Sequence, residues 1–149
     1  MTMIQLHFGG LVSRSIDKGD GMTSAKPILF TIGYQGRTQA TMIETLLANG
    51  VTVLVDLREK PSSRIPGFSG KQLAVAVERV GIVYKAMGKN LGGLTCTWEQ
   101  WEVGCNELAR DNKGQVVAIM CMERDVAKCH RNGVAYLLHA RHGYEIVHL

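Results

Sequence analysis

Two kinds of apolar run alternate along the chain. Short continuous runs rich in β-branched and aromatic residues recur at 27–32, 51–55, 82–84, 115–120 and 144–149. That is the pattern of strands in a sheet covered on both faces. Between them, apolar residues return at intervals of three and four. Met42, Ile43, Leu46 and Leu47 share one helical face behind Thr38, a good cap, and Asn49-Gly50 closes that helix. Ser69 is placed to cap a helix over 71–80 whose buried stripe is Leu73, Val77 and Val80. Trp98, Trp101, Cys105 and Leu108 recur at helical spacing and predict a helix laid on the sheet through its tryptophans. A last helix is expected over 132–138.

Strand and helix alternate with connections too long for hairpins, which implies right-handed βαβ units. The expected architecture is α/β: a single three-layer αβα domain over 27–149, with a mainly parallel sheet of about five strands. Residues 1–26 stand apart. They are polar, glycine-containing and aperiodic after a short apolar start, with neither the basic n-region nor the long apolar core of a signal peptide. They read as a leader or a loosely ordered N-terminal arm, with a short strand or arm used in homodimer contacts as the alternative.

Composition narrows the classes. A length of 149 residues suits one domain, and 46% hydrophobic with 20% charged residues is ordinary for a globular chain. The net charge of +4 favours anionic partners without requiring nucleic acid. No apolar run approaches the ~20 residues of a membrane span, so no membrane partner is expected. Four cysteines without regular spacing read as free thiols of a reducing, cytoplasmic compartment rather than a disulfide scaffold. Gly33 to Gly36 lacks the GxGxxG spacing, which makes a nicotinamide enzyme a poor fit.

In this topology three strand-end loops share one rim, where ligands of open α/β sheets bind. The first offers Tyr34 and Arg37. The second offers Asp56, Arg58 and Arg64. The third, 121–131, concentrates Cys121, Glu123, Cys129, His130 and Arg131 between a strand and a helix. Guanidiniums facing one crevice suit phosphate or carboxylate, whose oxygens match the planar fork. Asp56 and Glu123 would orient those arginines or exchange protons. With Asp125 as a helix cap, Cys129 would lie in a first helical turn, where the dipole and His130 favour a thiolate nucleophile. Against these stand surface ion pairing for any single arginine and plain burial for either cysteine. Cys121, Cys129 and His130 also supply metal donors, with Cys96 or Cys105 as a further one. The seven-residue gap does not match structural zinc, however, so no metal and no cofactor is expected.

These motifs together resemble the family called domain of unknown function 488. The matching residues are Thr31 to Tyr34, Asp56 to Arg58 with Pro61, Ser63 and Arg64, Gly67 to Ser69, and Tyr84. Leu91 to Gly93, Cys121 to Glu123 and Cys129 to Arg131 complete the set. Tyr34 departs from the histidine frequent at that place in the family, so no histidine acts there. The resemblance implies a small cytoplasmic α/β domain with its signature residues in one pocket, and it supplies no reaction. The reading that follows is an uncharacterised protein that binds or acts on a small anionic, nucleotide-like ligand at an Arg/Cys-lined pocket at the strand C-termini. The alternative is a nucleic-acid-binding or accessory module without catalysis.

Overall fold

In a computed structural model, which describes residues 25–149, the first apolar run forms β1 (Ile28–Gly33), an interior strand of a five-stranded sheet. Most of the leader expected over 1–26 lies outside the described residues. The remaining strands are β2 (Val53–Asp56), β3 (Val83–Ala86), β4 (Val117–Cys121) and β5 (Glu145–His148). Their order is β3-β2-β4-β1-β5, and every pair is parallel. The α/β expectation therefore holds, with the sheet wholly rather than mainly parallel.

The two-residue period of the strands decides which side chains face which helices. Leu29, Val53, Val55, Val117 and Ile119 pack on one face with Leu91, Cys105, Leu108, Val134, Leu137 and Leu138. Those helical residues belong to α3 (Gly88–Leu91), α4 (Trp98–Asp111) and α5 (Arg131–His142). Phe30, Ile32, Leu54, Ala118 and Met120 pack on the other face. Their partners are Met42 and Leu46 of α1 (Gln39–Ala48), with Leu73 and Val77 of α2 (Gly70–Glu78).

The predicted caps are in place. Thr38 forms a reciprocal box with Thr41, and Ser69 accepts from the Gln72 amide. Two predicted stripes are narrower than the sequence implied. Leu47 is 47% and Val80 41% exposed, because α1 and α2 each turn only one edge to the sheet. The tryptophan stripe needs correction as well. Trp98 is 48% exposed, and the buried face of α4 is Gly104, Cys105 and Leu108. Trp101 packs beside Gly133 of α5 and donates its indole N–H to the Gly92 carbonyl at 2.8 Å. It anchors a loop and a neighbouring helix rather than the sheet.

This strand order fixes where a ligand could sit. Chains leaving β1 and β2 cross to the α1–α2 face, whereas the chain leaving β4, which lies between them, crosses to the opposite face. The loops diverge there, at the topological switch point of the sheet.

Candidate functional site

The carboxyl ends of β1, β2 and β4 are in register at Gly33, Asp56 and Met120–Cys121. Pairing continues past the strands, with the Tyr34 amide donating to the Cys121 carbonyl and the Gln35 amide to the Met122 carbonyl. Gly33 is required by this approach, because a Cβ there would run into the Glu123 carbonyl. Two separate networks form on this frame.

The first centres on Asp56, which is fully buried. Its Oδ1 accepts from the amide and Nε of Arg58 at 3.0 and 2.9 Å. Its Oδ2 accepts from Arg58 Nη2 and from the Tyr84 hydroxyl, both at 2.6 Å. Arg58 Nη1 donates onward to the Phe68 carbonyl at 2.7 Å and to the Tyr34 hydroxyl at 3.2 Å. That hydroxyl donates in turn to Ser63 Oγ. Tyr34 stacks on Phe68 with ring centroids 4.4 Å apart, and the Arg58 guanidinium sits over the Tyr34 ring. Burial works against the Arg58 charge, but the Asp56 carboxylate outweighs it and raises the guanidinium above its ordinary value. Burial and the Asp56 carboxylate likewise push the Tyr84 phenol up. The second loop is tied by a buried, bidentate ion pair whose oxygens are all occupied.

The second network lies in the loop after β4. A 3₁₀ turn (Val126–Lys128), capped by Asp125, precedes α5. Asp125 therefore caps this turn and not α5, and Cys129 stands two residues ahead of α5 rather than within its first turn. Arg131 is buried, at 1% exposure. Its Nε donates to Thr31 Oγ1 at 3.2 Å, Nη1 to the Glu123 carbonyl at 2.6 Å, and Nη2 to the Arg124 carbonyl at 3.3 Å. Thr31 Oγ1 also bonds His148 Nδ1 at 2.7 Å, which carries the network to the edge strand. Burial lowers the Arg131 pKa and the nearby Arg37 charge adds to this, while Glu123 and Asp125 oppose it.

Cys121 and Cys129 are joined as a disulfide, which corrects the expectation of four free thiols; Cys96 and Cys105 are free. The loop brings together positions that are eight residues apart in sequence. Cys129 is 6% exposed. Each sulfur faces an N–H of Arg131: the backbone amide lies 3.5 Å from Cys129 Sγ, and Nη1 lies 3.6 Å from Cys121 Sγ. A Glu123 carboxylate oxygen is 3.8 Å from Cys121 Sγ. His130 is half-buried beside Trp101, with ring centroids 6.2 Å apart, and its Nε2 is buried without a hydrogen-bond partner. Burial lowers the His130 pKa, favouring the neutral ring.

Of the arginines singled out in the sequence, Arg58 and Arg131 are therefore packed into the protein, and only Arg64 is exposed, without a hydrogen bond to the described residues. Arg37 is half-buried at the end of β1, donating from Nε to the Gly33 carbonyl at 3.0 Å. Beside it stands Arg124, which sequence reasoning passed over. Arg124 Nη1 lies 3.5 Å from the Gln35 carbonyl. Burial lowers the Arg37 pKa, and the Arg124 charge lowers it further. Salt bridges among the described residues are Arg58–Asp56, Arg110–Asp111 and Arg141–Glu102. Arg37 and Arg124 thus lie within each other's electrostatic reach, and neither makes a carboxylate ion pair among the described residues. Placing Arg124 in this way needs the pairing of the two loops, which no local spacing reveals. Glu59 was also missed: its carboxylate accepts the Leu94 and Thr95 amides at 2.6 and 2.7 Å and holds the loop after α3.

An open groove lined by Gln39 of α1 and by Lys71, Gln72, Val75, Ala76 and Arg79 contains none of these groups.

Comparison with known proteins agrees with this picture at the level of family and fold. Residues 38–102 match the family described as "Domain of unknown function DUF488". The match includes Asp56, Arg58, Ser63, Phe68 and Tyr84 of the first network, whereas Tyr34, β1 and the loop after β4 lie outside it. Among solved structures, the chain is similar to a "Putative phosphatase (DUF442)" from Shewanella putrefaciens CN-32, seen in crystals at 1.60 and 1.40 Å resolution. Identity is 21% in both, with TM-scores of 0.54 and 0.53, covering 81% of this chain and 68% and 71% of those chains. At that identity the likeness is one of fold. No curated protein matches the chain.

Proposed function

We propose that this chain, whose residues 38–102 match the domain of unknown function 488 family, binds or acts on a small anionic ligand at the strand C-termini. Arg37 and Arg124 receive the anion. The observation that carries this reading is the pair itself: two guanidiniums within each other's field, unpaired with any carboxylate among the described residues, at the switch point of the sheet. Like charges held together are unfavourable, and an anion between them removes that penalty. Arg58, Arg131, Asp56 and Tyr34 act as positioning residues that fix the three loops around it. The name carried by the structural neighbour makes phosphate the first chemistry to try.

The test is thermal unfolding at constant ionic strength with inorganic phosphate, pyrophosphate and a nucleoside monophosphate. A ligand of the native state raises Tm, and Arg37→Ala/Arg124→Ala should abolish that rise. Failure of all three anions to move the wild-type Tm, or an unchanged rise in the double variant, refutes the reading. Affinity for oligonucleotides that falls steeply with salt would point instead to a nucleic-acid module.

A further inference from the structure

The loop after β4 holds a second chemistry that the anion reading does not use. We propose that, in its reduced form, the Cys121–Cys129–His130 triad binds one thiophilic d¹⁰ cation of the zinc class. One ligand atom from each residue lies within 4.8 Å of the other two. The spacing that spoke against a metal in the sequence is overcome by the 3₁₀ turn, which folds Cys129 back onto the end of β4.

Three further observations point to a ligand. His130 Nε2 is buried and has no hydrogen-bond partner among the described residues, and such an orphan costs free energy unless something engages it. The two sulfurs each face an Arg131 N–H, one of them from the charged guanidinium. Donors of that kind suit thiolates, whose negative charge they stabilise, better than neutral disulfide sulfurs. The two Cα atoms are 7.6 Å apart, beyond the ~4.4–6.8 Å that disulfides usually span. Two thiolates around one tetrahedral ion, at about 2.3 Å from it, stand further apart than bonded sulfurs and fit such a separation. Two thiolates with one imidazole select zinc or a similarly soft cation over magnesium or calcium. Three protein ligands leave a fourth position open, and the Glu123 carboxylate lies 3.8 Å from Cys121 Sγ.

The chemistry balances with a dithiol reductant. It gives two electrons and two protons to the disulfide, yields two thiols, and is itself oxidised to its own disulfide. The entering ion then displaces both thiol protons to solvent. A disulfide oxidant reverses this: it takes two electrons from the two thiolates and two protons from solvent, leaves as a dithiol, re-forms the Cys121–Cys129 bond and releases the ion.

The test uses the full chain, reduced with a dithiol, freed of the reductant and titrated with cobalt(II) alone. One cobalt per chain should bind with a thiolate-to-metal charge-transfer band, and zinc should displace it. Affinity should fall about tenfold or more in His130→Ala, and the band should vanish in Cys121→Ser/Cys129→Ser. Cys96→Ser/Cys105→Ala should bind as the wild type does. Circular dichroism of each variant separates loss of ligand from loss of fold. Absence of a cobalt band in folded, reduced protein overturns the proposal, as does a band that survives Cys121→Ser/Cys129→Ser. Phosphate binding by metal-free protein is measured separately, so either proposal can fail alone.

Discussion

At the end of β2, Asp56 accepts four hydrogen bonds, three from Arg58 and one from Tyr84, and Arg58 passes its remaining reach to Phe68 and Tyr34. At the ends of β1 and β4, on the same rim, the polar groups are only partly satisfied. Arg131 is held by Thr31 Oγ1 and the Glu123 and Arg124 carbonyls, but among the described residues His130 Nε2 lacks a partner, and Arg37 and Arg124 lie in each other's field without a carboxylate ion pair. Both regions carry arginine at a strand end and both belong to the same rim. The difference teaches that residue type alone does not mark a binding group. A guanidinium with a bond from each of its three nitrogens to the protein positions a loop, whereas one with nitrogens to spare can hold a ligand.

That contrast can be broken at its strongest point. Asp56→Ala strands a buried guanidinium and the Tyr84 hydroxyl, and should cost about 3–5 kcal/mol in urea unfolding. A loss below about 1 kcal/mol would mean that the network is solvated and not structural. Arg131→Ala leaves the Glu123 and Arg124 carbonyls unpaired and should cost roughly 2–4 kcal/mol. Arg131→Lys should recover only part of this, since one ammonium cannot reproduce the planar fork.

A smaller effect is expected from alkaline pH. Burial pushes the Cys105 thiol from its ordinary 9.0 up to about 12, and the Tyr84 phenol is raised as well. Above pH 9 the unfolded thiol loses its proton while the folded one keeps it, so the unfolded state binds fewer protons. Stability should be fully present below that pH and fall as pH rises towards about 12. Urea midpoints across this range, compared with Cys105→Ala, test it: the variant should show the shallower decline. The smallest change belongs to the rim. Arg37→Ala and Arg124→Ala should each alter stability by no more than about 0.5 kcal/mol while weakening anion binding. A large stability loss in either would move that arginine into the structural class.

The fold was legible because it rests on local periodicity. Continuous apolar runs gave all five strands, and Thr38 and Ser69 cap helices as their hydrogen-bonding chemistry requires. The stripes were less legible, since Leu47, Val80 and Trp98 fit helical spacing but lie beyond the edge of contact with the sheet. For the site, the sequence singled out three strand-end loops without revealing which side chains turn inward. Arg58 and Arg131 are buried by partners that come from elsewhere in the chain: Tyr34, Phe68 and Thr31. Arg124 gains its place only through the pairing of Tyr34 and Gln35 with the loop after β4. The meeting of Cys121 with Cys129 depends on a 3₁₀ turn that no apolar period announces.

The most direct test of the division between positioning and ligand-receiving arginines is a nitrogen-15 NMR titration of the arginine side chains with pyrophosphate at constant ionic strength. Assignments would come from single substitutions. The account predicts saturable shifts of the Arg37 and Arg124 Nε–H signals, with those of Arg58 and Arg131 nearly unmoved. Shifts centred on Arg58 or Arg131, or no saturable shift at Arg37 and Arg124, would contradict it.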